Sequence, residues 1–159
     1  MIRHATEADA PAIRALDLAA WSSTFSPSPP PAPGADIPPL LADGLTVLVA
    51  EVEGEVAGYV NVGRSLPMES NSHVLEIRGI NVGADFRGLG IGHDLMAAAE
   101  GVARERGARK IKLRVLGPNA AARSLYESCG YIVEGVLRDE FLLDGEYLDD
   151  ILMARRLES

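Results

Sequence analysis

Apolar positions along the chain change period from two to nearly four and back, and each change marks an element. Residues 1–5 read as a short first strand. Thr6 and Asp9 resemble a helix-capping pair and Pro11 suits a first turn, so a helix is predicted next. Its apolar stripe of Ile13, Leu16 and Ala20 carries it to about Trp21. The proline-rich run over 26–39 excludes helix and central strand and predicts an extended surface loop inside one domain spanning 1–159. Leu45–Glu53 and Val56–Arg64 read as two strands around a Gly54-Glu55 turn, and 65–72 as a polar loop. A fourth strand from about His73 to Val82 precedes a glycine-rich turn and a helix to about Gly107. That helix carries Ile91, Leu95, Met96, Ala99, Val102 and Ala103 on one side. Lys110–Leu116 alternates charged and apolar residues as a half-exposed strand does, and Gly117-Pro118 breaks it. A helix over Asn119–Ser128 has Ala122, Leu125, Tyr126 and Cys129 on one stripe and ends at Gly130. Tyr131–Leu143 and Glu146–Arg155 are the last strands, joined by Asp144-Gly145 in a type I′ turn. This order predicts an α+β fold with a mixed sheet.

The stretch richest in chemistry is Ile80–Met96. A strand runs into Arg87-Gly88-Leu89-Gly90-Ile91-Gly92, and a helix opens there. The first N–H groups of a helix lack partners and its dipole makes that end positive. Glycines remove side chains that would hold an anion away, and Arg87 adds a permanent cation, so the turn can cradle a pyrophosphate. Glycines before a helix also serve merely as a tight turn. A P-loop is excluded, because Gly83 and Gly88 have its spacing but Leu89 and Gly90 follow where it needs lysine and a hydroxyl residue. A Rossmann fingerprint is excluded too, since the third glycine falls one residue early and the turn sits in mid-chain.

Arg87-x-x-Gly90-x-Gly92 after a fourth strand resembles motif A of the GNAT (GCN5-related N-acetyltransferase) family. About thirty residues on, Asn119-Ala-Ala-Ala-Arg-Ser-Leu-Tyr126-Glu-Ser-Cys-Gly130-Tyr131 resembles its motif B. The resemblance covers nearly the whole chain. It implies a mixed, mostly antiparallel central sheet of about six to seven strands with helices on both faces. It implies acetyl-CoA as co-substrate, with pyrophosphate on Arg87, Gly88, Leu89, Gly90, Ile91, Gly92 and His93. The fourth strand would carry a bulge and splay from the fifth, and pantetheine would lie against the backbone of Ile80, Asn81 and Val82, where side-chain replacement should matter little. Asn119, otherwise an ordinary helix cap, would touch the cofactor. Tyr126, otherwise a core tyrosine, would protonate the leaving sulfur, since a phenol with a pKa near ~10 keeps its proton at neutral pH. Glu76 is the candidate base, directly or through water. A homodimer is the family's common habit.

One departure narrows the resemblance. In relatives that acetylate ribosomal-protein alanine, the base lies on the fifth strand five residues before the motif B asparagine. Here that position is Arg114, which cannot act as a base. Asp149, Asp150 and Glu140 are alternative acids on the last hairpin, and Trp21, Phe25 and Tyr59 could line an aromatic pocket.

Charge and cysteine content limit the remaining classes. A formal charge of −8, from 15 basic against 23 acidic residues, argues against a nucleic-acid-binding surface and suits a cationic substrate as well as plain solubility. The lone Cys129 excludes an intramolecular disulfide and a cysteine-based metal cluster, so no metal is expected. No signal-like N-terminal segment and no run of eighteen apolar residues occurs, so a cytoplasmic protein without membrane partners is expected. The expected activity is direct transfer of acetyl from acetyl-CoA to a primary amine, on a small molecule rather than a protein, in a ternary complex. The alternatives are a non-catalytic acyl-CoA sensor on the same fold and a protein N-terminal or lysine acetyltransferase.

Overall fold

The computed structural model describes residues 1–22, 25–32, 34–35, 40–42 and 44–158. The elements in chain order are β1 (Ile2–His4), α1 (Ala10–Ala20), β2 (Thr46–Val52), β3 (Glu55–Arg64) and β4 (Val74–Val82). They continue with α2 (Ile91–Glu105), β5 (Lys110–Leu116), α3 (Ala120–Ser128), β6 (Ile132–Leu143) and β7 (Glu146–Arg156). The strands form one seven-stranded sheet in the order β1-β2-β3-β4-β5-β7-β6. Neighbours pair antiparallel except β4 and β5, which run parallel. The architecture is therefore the mixed, mostly antiparallel α+β sheet expected from the sequence.

Side-chain alternation along the strands divides the core between two faces. On one face Leu48 and Ala50 of β2, Ala57, Val60 and Val62 of β3, and Leu75 and Ile77 of β4 pack with Leu95, Met96 and Ala99 of α2 and Tyr126 of α3. On the other, Val47, Val49 and Tyr59 pack with Ile13 and Leu16 of α1. Thr6 and Asp9 open the N-terminal helical segment as predicted: the Thr6 N–H donates to the Asp9 carboxylate at 2.8 Å, and Pro11 lies in the first turn. Arg3 grips the same carboxylate with both terminal nitrogens, at 2.8 and 3.0 Å.

Two details differ from the sequence reading. The first hairpin turns on Glu53-Gly54 rather than Gly54-Glu55, because both of those residues adopt positive φ (49° and 82°) and Val52 pairs with Glu55. A type I′ turn needs positive φ at its two central positions, which fixes it there. The last hairpin does turn on Asp144-Gly145, with φ of 51° and 78°. Of the proline-rich loop, residues 33 and 36–39 lie outside the described residues. No described helix is long and apolar enough to cross a membrane.

Candidate active site

The site originates in two irregularities of β4. Pairing with β3 slips by one residue between Asn61 and Val62, so Arg78 is the extra residue of a bulge. On its other edge β4 pairs with β5 only over Val74–Glu76 against Lys110–Lys112. Beyond that rung the parallel strands part, leaving both facing edges without ladder partners. Backbone donors and acceptors on such edges are open to a ligand that carries amides of its own.

The parting creates a cleft of about 990 Å³ lined from both faces of the sheet. Asp17, Trp21 and Tyr59 line it on the α1 side, and Asn119, Leu125 and Tyr126 on the α3 side. Of the residues expected to meet the cofactor, Ile80, Asn81, Val82, Arg87, Asn119 and Tyr126 line this cleft. Gly88, Leu89, Gly90, Ile91, Gly92 and His93 do not line it; they continue directly from Arg87 into α2. There Gly88 and Gly90 hold φ of 78° and 81°, and a Cβ on either would meet nothing within 4 Å. These glycines are required by their backbone conformation, and the surface over them is open. Gly90 caps α2 without a side-chain hydrogen bond, and the first intrahelical bond runs from the Asp94 N–H to the Gly90 carbonyl. The N–H groups of Ile91, Gly92 and His93 therefore precede the helical ladder and suit an anion. The His93 ring stands 2.8 Å from the Ser128 hydroxyl, joining α2 to α3.

Asn119 caps α3, its Oδ1 accepting from the Ala122 N–H at 3.2 Å, which leaves its NH2 group for the cleft. Tyr126 is only 6% exposed. Its hydroxyl makes no hydrogen bond among the described residues, yet it is not one of the buried orphaned atoms, so it opens into the cleft. Burial, with a smaller contribution from Cys129, pushes its pKa up to about 12, and the phenol is protonated at neutral pH. Glu76 occupies the last paired rung beside Lys112, is half-buried, and is absent from the lining.

The side chain of Asn81 corrects the expectation that it is dispensable. Its amide donates to the Leu16 carbonyl at 3.0 Å and to Asp17 Oδ1 at 3.4 Å, tying α1 to β4. Asp17 Oδ1 also accepts the Tyr59 hydroxyl at 2.7 Å. Burial raises the Asp17 pKa against these two hydrogen bonds, which lower it. Sequence reasoning passed over Asp17, although it falls four residues after Ile13 and beside Leu16 on the inward stripe of α1. A carboxylate on an apolar stripe is the signal that marks it.

Trp21, Phe25 and Tyr59 do line the cleft, with the Trp21 and Phe25 rings 5.3 Å apart. So do Ser26 and Pro27, the first residues of the proline-rich loop. Of the alternative acids, Asp150 lines the cleft, whereas Asp149 and Glu140 do not. Asp150 is buried and ion-paired with Arg114 at 2.7 Å without aligned hydrogen-bond geometry. Cys129 lies outside the lining, packed against the core, and burial raises its thiol pKa.

The parted sheet, the glycine turn beside it and the phenol opening into the gap are the features that the resemblance to the GNAT family implies. The chain belongs to the Acetyltransferase (GNAT) family, whose pattern matches residues 10–131. Phosphinothricin N-acetyltransferase of Alcaligenes faecalis is 30% identical over 123 residues, covering 76% of this chain and 61% of that protein. L-amino acid N-acyltransferase MnaT of Escherichia coli (strain K12) is 28% identical over 115 residues, covering 72% of this chain and 66% of that protein. The match thus spans less than two thirds of either relative's length. The crystal structure of ribosomal-protein-alanine N-acetyltransferase from Brucella melitensis superposes with a TM-score of 0.80 at 31% identity, over 99% of both chains.

Proposed function

We propose that this chain transfers the acetyl group of acetyl-CoA directly to the primary amine of a small molecule in a ternary complex. The observation that carries the reading is the parting of β4 from β5 beyond Glu76 and Lys112, which opens one cleft to both faces of the sheet. A thioester threaded between the strands would meet an acceptor arriving from the opposite face. The free β4 edge at Ile80–Val82 suits the amides of pantetheine, and the Arg87–His93 turn suits its pyrophosphate. Acetyl-CoA supplies the activated carbonyl; the chain's own groups orient it and move protons. Tyr126 serves as the acid, giving its proton to the sulfur as the C–S bond breaks. Asn119 orients the cofactor through its NH2 group. Glu76 could take a proton from the amine only through intervening water.

Direct transfer is supported by the position of Cys129, the chain's only thiol, outside the cleft. A small-molecule acceptor is supported by the first two relatives, which are named for phosphinothricin and L-amino acids. Arg114 carries a guanidinium that stays protonated, so it cannot serve as the base, and it is ion-paired with Asp150.

The test is a screen of phosphinothricin and the L-amino acids with acetyl-CoA, read as release of the CoA thiol. The reading expects release with at least one amine and intersecting initial-rate lines when both substrates are varied. Parallel lines would overturn direct transfer, and acetyl-CoA binding without any release would leave the non-catalytic sensor.

A further inference from the structure

The polar groups on the α1 side of the cleft gather around the bulge. A Cβ built on Gly79 would meet the Tyr59 hydroxyl at 3.2 Å and the Asn61 amide nitrogen at 3.3 Å. Asn81, two residues on, reaches Asp17 from the same strand. Two donors of this group share one acceptor. The Tyr59 hydroxyl and the Asn81 amide both point at Asp17 Oδ1. Two acceptors are left over: Asp17 Oδ2 has no hydrogen bond among the described residues, and Asn61 Oδ1 is buried without a partner. Both residues line the cleft. A buried carbonyl oxygen left unpaired is costly, and so is a carboxylate partly withdrawn from water with no cation beside it. The Asp17 oxygen is open to the cleft, and a ligand that brings N–H donors and a positive charge satisfies it; a primary ammonium is such a group.

We propose that Asp17 is the acceptor subsite: its carboxylate binds the ammonium of the incoming amine and takes the proton the amine must lose before it attacks. The inference rests on the acetyl-transfer reading and deepens it. The ammonium gives one proton to Asp17, and the neutral nitrogen bonds to the thioester carbon. The C–S bond breaks as Tyr126 delivers its proton to sulfur. The nitrogen's second proton returns to Tyr126, and Asp17 releases the first to solvent. The sum is ammonium plus acetyl-CoA giving amide, CoA thiol and one proton. Tyr59 and Asn81 are positioning residues that hold Oδ1 so that Oδ2 faces the cleft. Apart from Asp17, the charged or titratable groups that line the cleft are Tyr59, Arg78, Arg87, Arg114, Tyr126 and Asp150.

The test compares Asp17→Asn, Tyr59→Phe and Glu76→Gln in the full chain, using the amine that the wild-type chain acetylates best in the screen. Asp17→Asn is expected to keep acetyl-CoA affinity and to lose about 10²- to 10³-fold in kcat/KM for the amine at neutral pH. The loss should shrink as pH rises and the amine deprotonates on its own. Tyr59→Phe leaves the carboxylate in place and is expected to lose less than about tenfold. If Asp17 were only a tie between α1 and β3, the two variants would lose alike, with no recovery at high pH, and the proposal would fall. It would fall as well if Asp17→Asn kept its rate while Glu76→Gln lost it, although acetyl transfer itself would stand. A wild-type chain that acetylates no amine would overturn both readings together, and that result is distinct from the other two.

Discussion

Tyr126 stands seven residues after Asn119, two turns along α3, so the helix cap and the phenol face one cleft. Its replacement by phenylalanine removes a proton donor and little volume. We expect Tyr126→Phe to lower kcat by about 10²-fold, with unchanged acetyl-CoA affinity and thermal midpoint. Because the folded phenol titrates only at about 12, the acid form persists through the whole neutral range. The wild-type rate should therefore show no alkaline fall from this group until pH approaches that value. A fall centred near pH 8 would assign the acid role to another residue. Tyr126, Asn119 and the glycine turn were legible because each sits at a fixed offset within a motif. Asp17 was not, since its meaning depends on Tyr59 and Asn81, which lie 42 and 64 residues away in sequence. No local pattern joins positions that only the sheet brings together. Asn81 was misjudged for the same reason: its side chain bonds to α1, which the strand's own letters do not reveal.

Among the elements, the placement of β4 governs the open strand edge that we assign to acetyl-CoA, and Gly58 sets how closely β3 approaches β4. A Cβ at Gly58 would stand 2.8 Å from the Asn81 carbonyl oxygen and 3.2 Å from Leu95 Cδ1. The first of these neighbours is backbone and cannot yield cheaply. Gly58→Ala should thus cost about 1–3 kcal/mol in stability, measured by urea unfolding, and also weaken acetyl-CoA binding by shifting β4. A variant as stable as wild type would show that β4 shifts at no cost. Gly90→Ala is a contrasting case, with open space around the Cβ but φ of 81°. Its expected cost of about 1 kcal/mol comes from backbone conformation alone. The seven strands and three α-helices among the described residues were legible in the sequence, because apolar periodicity and Gly or Pro breaks are local; the short 3-10 turns at Glu69–Asn71 and Ala84–Phe86 were not. The position of the bulge was not readable in this way. It arises where Asn61 faces Gly79 and Val62 faces Ile77, a property of register between two strands.

At the scale of the molecule, acid stability should depend on the clamp that ties the N-terminus down. Arg3 holds Asp9 through two bonds and Glu51 through a third at 2.9 Å. The Arg3 guanidinium keeps the Asp9 pKa below its ordinary 3.8, so the folded state binds this proton less readily than the unfolded one. Its stabilisation is present above the unfolded pKa and is lost as pH falls through the lower folded value. Asp17 works in the opposite sense: its raised pKa means that folding is favoured by protonation, and that contribution fades as pH rises through its folded pKa. Asp9→Asn should accordingly flatten the loss of thermal midpoint between about pH 5 and pH 2, and Asp17→Asn should not. Equal acid profiles for wild type and Asp9→Asn would remove the clamp from the account.

The central claim, that the parted strands and the glycine turn form an acetyl-CoA site, is tested most directly by thermal unfolding with acetyl-CoA, CoA, NAD and ATP side by side. A ligand at a hundred times its Kd stabilises the native state by about 2.7 kcal/mol. For a chain of this length that raises the midpoint by roughly 5–10 °C. The account predicts such a rise with acetyl-CoA and CoA and none with NAD or ATP. No CoA-specific rise at saturating concentration would contradict it, leaving Gly88–Gly92 as a turn and the cleft without its ligand.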